Sequence, residues 1–114
     1  MTACIFCKII QNQIPADKIY EDDHVIVFKD IHPKAQVHVL IVPKTHIQSL
    51  ATVSEEQRSL MAHMVLLLPT VAQEQGLKNG FRTVINTGKA GGQEVDHLHF
   101  HLLGGHSLPN MKDV

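Results

Sequence analysis

The sequence has no tryptophan, one tyrosine and four phenylalanines, and no large excess of charge of either sign. A net charge of −1 gives no basic field that would collect nucleic acid or an anionic membrane surface. The longest apolar run, MVLLLP, is much too short to span a bilayer, and the N-terminal segment lacks the pattern of a signal peptide. We therefore expect one cytoplasmic domain over residues 1–114, with neither nucleic acid nor a membrane as partner.

Cysteine is also scarce, because Cys4 and Cys7 are the two cysteines of the chain. In a reducing compartment such a pair is better interpreted as two thiols or as metal ligands than as a disulfide. Thiolates separated by two residues are good zinc ligands, but a zinc site needs two more. Two reduced cysteines in a short helix are the alternative.

The order of hydrophobic patterns predicts an α+β fold with a five-stranded, mainly antiparallel sheet, one short helix and one long helix. The connections between strands are short, and we expect both helices to pack on one face of the sheet. Ser54 and Gln57 have the spacing of a capping box at the start of the long helix. The predicted helices cover residues 4–13 and 52–76, and the predicted strands cover residues 18–22, 24–30, 37–43, 80–88 and 97–105.

Histidine is the residue in excess, with nine copies, and three of them alternate in the last predicted strand. His97, His99 and His101 would share one face of that strand, opposite the apolar residues between them. Neighbours in the row would lie about 6.6–6.8 Å apart at Cα, which suits contact with different atoms of one phosphate better than one small metal. Ordinary hydrogen-bonded histidines, or zinc or iron ligands, are the alternatives. The histidines outside any motif, at positions 24, 32, 63 and 106, are expected to be solvated.

The segment GGQEV, residues 91–95, comes just before this row. Its small residues let a chain approach an anion closely, and its backbone N–H groups are expected to be free donors. Such a loop often only turns the chain. Next to the histidine row it becomes a candidate phosphate site.

The segment QEVDHLHFHLLGG resembles the signature of the histidine triad family, in particular its nucleotide-binding HINT branch, and the likeness extends over nearly the whole chain. IFCKIIQNQIPADKIYEDD is similar to the opening of that branch, VFKDIHPKAQVHVLIVPKTHI to its central strands and VINTGKAGGQEV to its phosphate loop. The resemblance implies a HIT-like fold that dimerises into a ten-stranded sheet. It also implies hydrolysis of purine nucleoside 5′-phosphoramidates to AMP or GMP.

By this resemblance His99 is the nucleophile that forms a nucleotidyl-histidine, and its second ring nitrogen should donate to a fixed acceptor such as a backbone carbonyl. His101 would contact the phosphate, and His38 would support the triad. Where most better-known relatives have Ser or Thr, this chain has Glu94, whose carboxylate would instead interact with a cationic amine leaving group. The residues implied around the phosphate and leaving group are Asn86, Gly92, Gln93 and Glu94.

The resemblance also assigns a nucleoside pocket and a structural zinc site. Asp30 would accept the ribose hydroxyls, although from the sequence alone it caps the start of a loop. Ile31, Phe6, Ile9, Ile5 and Phe28 could surround the base, and for Ile5 and Phe28 we favour the alternative that they are simply core. The implied zinc ligands are Cys4, Cys7, His46 and His97, so that His97 has both a triad and a metal assignment.

Three other functions stay open at this point. They are hydrolysis of dinucleoside polyphosphates, nucleotide binding by an adaptor with secondary catalysis, and metal-dependent catalysis with the histidines as ligands. The tail HSLPNMKDV lacks the aromatic residue of many relatives, which implies a different leaving-group preference.

Overall fold

The protein, described here by a computed structural model covering residues 4–106 and 108, has one five-stranded antiparallel sheet. The strand order is β1-β2-β3-β5-β4, and each neighbouring pair is antiparallel. This confirms the predicted fold class. The strands are β1 Lys18–Glu21, β2 Val25–Lys29, β3 Val37–Pro43, β4 Arg82–Val84 and β5 Phe100–Gly104, and the helices are α1 Ile5–Ile10 and α2 Arg58–Glu74.

The long helix begins later than the pattern predicts. Residues Leu50–Thr52 and Glu55–Gln57 form two short 3₁₀ turns, and α2 starts only at Arg58. The predicted capping box is present, because the Ser54 backbone N–H donates to Gln57 Oε1 at 2.9 Å. Among the described helices, none is long and apolar enough to cross a membrane.

The two helices lie on opposite faces of the sheet, so the prediction of helices on one face is wrong. Val25 and Val27 of β2 pack in the same buried cluster as α2, whereas Ile26 and Phe28 pack with α1. Every residue of β2 except the last is buried. Because both faces of β2 are apolar, its sequence pattern carries no information about which face each helix covers.

The last strand starts at Phe100, so His97 and His99 lie before it rather than within it. Pairing between β3 and β5 ends at Ile41 opposite Phe100. Beyond that point Pro43 has no N–H to donate, and its carbonyl accepts from the His97 ring at 2.8 Å. The Leu98 N–H turns instead to the Ile47 carbonyl at 2.7 Å. The strand predicted over residues 80–88 is likewise shorter, covering Arg82–Val84.

Candidate active site and thiol–histidine cluster

A cavity of about 460 Å³ opens on the face of the sheet that α1 covers. Its size is in the usual range for a small-molecule site. Its wall combines apolar side chains with charged and hydrogen-bonding groups. The apolar residues are Ile5, Phe6, Ile9, Ile14, Pro15, Ala16, Phe28, Ile31, Leu40 and Val95, and the others are Lys29, Asp30, His32, Lys34, Asn86, Gly92, Glu94, His99 and His101.

His99 is buried, with 7% of its surface exposed, yet its ring forms part of the cavity wall. Its Nδ1 lies 2.7 Å from the carbonyl oxygen of His97. A carbonyl only accepts, so Nδ1 carries the proton and Nε2 of the neutral ring has a free lone pair. The Phe6 ring contacts the His99 ring edge-on, with centroids 5.1 Å apart. The predicted backbone acceptor for the second ring nitrogen is confirmed.

His38 and His101 form a chain of hydrogen bonds that fixes both rings. The Lys34 backbone N–H donates to His38 Nδ1 at 3.1 Å, so the proton of neutral His38 is on Nε2. His38 Nε2 is 2.9 Å from His101 Nδ1, which must therefore accept. The remaining proton of His101 is on Nε2. His38 does not line the cavity itself and acts through His101.

Burial keeps these histidines neutral at pH 7. It is the largest cause that lowers the pKa of His101 to about 4, and it also lowers the pKa values of His38 and His99. For His99, a hydrogen bond to the His97 carbonyl and the charges of Asp30 and Glu94 oppose this lowering. A neutral His99 is the protonation state that a nucleophile requires.

Asp30 caps a loop, as expected from the sequence alone, and also lines the cavity. Its Oδ1 accepts from the His32 backbone N–H at 2.8 Å, which caps the start of the loop. Its Oδ2 lies 3.5 Å from His38 Nε2, and the residue forms part of the cavity wall. The neighbouring Ile31 is 79% exposed, so its side chain stands over the cavity rather than in the core.

The glycine loop is shaped by its own hydrogen bonds, which corrects the prediction of free donors for the N–H groups of residues 91–93. The backbone N–H groups of Gly91 and Gln93 donate to the Gly88 carbonyl, and that of Gly92 donates to the Lys89 carbonyl. The Gln93 side chain is buried and bonds Gly88 N–H and the carbonyls of Gln48 and Val95, each at 2.8 Å. We therefore assign Gln93 to the shape of the loop, since it does not line the cavity.

His97 points away from the cavity, into a cluster with Cys4, Cys7 and His46, called here the thiol–histidine cluster. His97 Nδ1 lies 3.3 Å from Cys4 Sγ and 3.7 Å from Cys7 Sγ. His46 Nδ1 lies 3.3 Å from Cys7 Sγ. Because His97 Nε2 donates to the Pro43 carbonyl, its Nδ1 presents a lone pair to the sulfurs.

The residues of this cluster fit a tetrahedral zinc ion. With Zn–S bonds near 2.3 Å and Zn–N bonds near 2.05 Å, tetrahedral ligands should lie about 3.6 Å apart. The sulfur–nitrogen distances given above are close to that value, and all four ligand atoms lie within 4.8 Å of one another. The four residues predicted as ligands are thus brought together.

A second group with three possible ligands, Asp30, His38 and His101, is less suited to a metal. Its ligand atoms are also close together, but His38 Nδ1 already accepts from Lys34 N–H. A metal on His38 Nε2 would displace the only ring proton and leave an imidazolate. The hydrogen bonds therefore favour a proton at this position.

The structure places most predicted site residues on the cavity wall and adds some that the sequence did not single out. Ile5 and Phe28, for which the core interpretation was favoured, line the cavity, and Phe28 is also buried in the core. His32 and Lys34 line it as well, although neither was given a role in the site. His63 is not simply solvated, since its Nε2 contacts Asp22 Oδ2 at 2.7 Å. The predicted effect of the tail concerns residues that, apart from positions 106 and 108, lie outside the described chain.

Comparisons with known proteins agree with this arrangement. Residues 3–113 match the family model described as "Scavenger mRNA decapping enzyme C-term binding". Protein HitA of Neisseria gonorrhoeae is 51% identical over 104 residues, which cover 91% of this chain and 97% of HitA.

Two solved structures have the same fold. A HIT family hydrolase from Legionella pneumophila Philadelphia 1 superposes with a TM-score of 0.90 at 42% identity, covering 95% of this chain and 97% of the other. A Zn-bound histidine triad family protein from Mycobacterium smegmatis superposes with a TM-score of 0.81 at 36% identity, covering 95% of this chain and 81% of the other. With the fold, the histidine row and the sequence match in agreement, the chain belongs to the histidine triad (HIT) family.

Proposed function

We propose that the protein is a cytoplasmic, HINT-type phosphoramidase that hydrolyses purine nucleoside 5′-monophosphoramidates. The observation that carries the proposal is the His99 ring, whose Nδ1 proton is held by the His97 carbonyl while Nε2 keeps a lone pair in the cavity wall. The Legionella relative is described as a hydrolase, which supports the same reaction class.

The cavity offers a suitable place for each part of a nucleotide. The apolar side chains of the wall, with Phe6, Ile9 and Ile31, would hold the purine base. The Asp30 carboxylate would accept the ribose hydroxyls. The α-phosphate would then lie beside His99 and His101, with Asn86 and Gly92 in the same wall.

The reaction proceeds in two displacements. In the first, His99 Nε2 attacks the α-phosphorus, and the P–N bond to the amine breaks. The amine leaves with a proton taken from water at the open mouth of the cavity. In the second, water attacks the phosphorus and gives up a proton that neutralises the hydroxide left by the first step, the bond to Nε2 breaks, and AMP or GMP is released with His99 restored. The His99 Nδ1–H bond to the His97 carbonyl stabilises the positive ring that exists between the two steps.

His101 assists without giving up its proton. Its Nε2–H would donate a hydrogen bond to a phosphate oxygen and stabilise the charge that grows there. His38 keeps that proton on Nε2 because it donates to His101 Nδ1. This assignment gives His38 a positioning role.

We also propose that Cys4, Cys7, His46 and His97 bind a structural zinc ion. The fit of the four ligand atoms and the Zn-bound Mycobacterium smegmatis relative support this. When bound, the ion would tie α1 to the segments that carry His46 and His97. It supplies no step of the reaction.

A homodimer is part of the proposal. Strand β4 is at the end of the sheet, and apolar residues are exposed nearby in sequence and on α2, with Val65 at 50%, Leu66 at 69% and Phe81 at 41%. A second copy would cover such surface. We expect light scattering to give twice the 12.7 kDa chain mass, and a monomer at micromolar concentration would contradict the assembly.

The proposal is tested by following AMP release from adenosine 5′-phosphoramidate. Wild type should release AMP, and His99→Ala should be slower by at least about a thousandfold while still binding AMP. His24→Ala, which changes an exposed histidine outside the cavity, is the matched control. AMP binding without release by wild type would favour an adaptor. Activity lost to a chelator and restored by metal would favour a metal-dependent reaction.

A further inference from the structure

We propose that Glu94 selects the leaving group, favouring phosphoramidates whose amine carries a second, positively charged group and disfavouring anionic leaving groups such as polyphosphates. This inference rests on the proposed function and specifies its substrate class. A carboxylate in a phosphate-binding site repels the phosphate of the substrate. A positively charged group elsewhere on the substrate would offset this repulsion by attracting the carboxylate.

Glu94 forms part of the cavity wall and is exposed to solvent, whereas His99 of the same wall is buried. It follows Gly92 by two residues, on a loop far in sequence from the apolar residues of α1 that also line the cavity. If the base packs on the apolar side chains, the group on the other side of the phosphorus would extend toward solvent beside Glu94.

The charges around the reacting histidines are distributed unevenly. The negative charges of Asp30 and Glu94 act on His99, whereas Asp30 and the positive charge of Lys34 act on His101. Lys29, another cation of the wall, lies 3.6 Å from Asp17 in an ion pair. Among the described residues Glu94 has no ion pair of its own, so its charge is available to a ligand.

This arrangement separates two kinds of leaving group. A cationic amine would gain a favourable contact with Glu94 as it leaves. A polyphosphate would bring several negative charges to the same carboxylate, which would repel them. The dinucleoside polyphosphate reaction is therefore the less favoured chemistry at this site.

The test compares three substrates with the same AMP half. They are an AMP conjugate of a diamine with a free ammonium, an AMP conjugate of an alkylamine of equal length, and diadenosine triphosphate. We expect wild type to rank them in that order by kcat/KM. Glu94→Gln should reduce the preference for the diamine over the alkylamine conjugate about two- to fivefold, the size expected for an exposed charge pair. High salt should reduce the wild-type preference in the same direction.

The matched control is Asp96→Asn, which removes an exposed charge two positions away that does not line the cavity. It should leave the preference unchanged. An unchanged preference in Glu94→Gln, with AMP still released, would overturn the role of Glu94 while leaving the proposed function intact. Failure of wild type to cleave either phosphoramidate would overturn the proposed function and this inference with it.

Discussion

Two groups of histidines lie within a few residues of one another and have opposite chemistry. The thiol–histidine cluster and the group of Asp30, His38 and His101 each bring three or more possible metal ligands together. In the first, the Pro43 carbonyl takes the Nε2 proton of His97 and leaves a lone pair facing two sulfurs. In the second, the Lys34 N–H occupies His38 Nδ1 and forces a proton between the two rings.

The difference shows that the tautomer, more than the kind of residue, decides what a histidine cluster does here. Each tautomer is set by one backbone group, a carbonyl in the first case and an N–H in the second. A count of ligands would treat both clusters as metal sites. The hydrogen bonds distinguish a cluster that presents lone pairs to a cation from a cluster that holds a proton between two rings.

The largest expected effect comes from removing the thiols. Cys4→Ser combined with Cys7→Ser should abolish stoichiometric zinc and weaken zinc binding by at least about a thousandfold, because structural zinc sites are held by about 10–16 kcal/mol. The measurement is metal analysis of purified protein together with a chelator titration.

Asp30→Asn provides the comparison from the other cluster and should retain one zinc per chain. Zinc that stays in the double cysteine variant, or leaves with Asp30→Asn, would reverse the assignment of the two clusters. Because the readout is metal content, the result does not depend on knowing the substrate.

A smaller effect is expected from His38, which tests the proton side of the comparison. His38→Ala should lower kcat/KM for the phosphoramidate about 10- to 100-fold, because His101 loses the donor that fixes its ring. His38→Gln places an amide N–H near the position of Nε2 and should recover most of that loss. Zinc content should be the same in both variants.

A purely structural role for His38 predicts a different outcome. Both variants would then lose activity in step with their thermal stability, and glutamine would give no specific recovery. Thermal unfolding of the two variants should therefore be measured alongside the kinetics.

The sequence was a good guide wherever a residue's role depends on near neighbours or on a specific motif. Strand β3 was predicted with its observed bounds, Val37–Pro43, because Pro43 stops the strand locally. The Ser54 capping box was also predicted, because its two residues are only three positions apart in the sequence. The resemblance placed four ligand residues together, and the structure agrees.

Predictions that depend on contacts distant in sequence were less successful. The face of the sheet that α1 covers depends on which side of β2 the helix packs against, and the residues of β2 are apolar on both sides. Strand β5 begins only at Phe100, and this depends on Pro43, more than fifty residues earlier in the sequence. The Pro43 carbonyl accepts a hydrogen bond from the His97 ring instead of from the backbone of β5. The loop at residues 88–92 closes on its own carbonyls, which glycine content alone does not reveal.

His97 has a consequence for how this protein can change over evolutionary time. Its ring faces the thiols, and its main-chain oxygen holds the ring of His99. A substitution that moves the His97 ring also moves the carbonyl that holds His99. Changes at Cys4 or His46 would therefore reach the His99 ring through a single peptide unit, and we expect substitutions in the two places to be strongly epistatic.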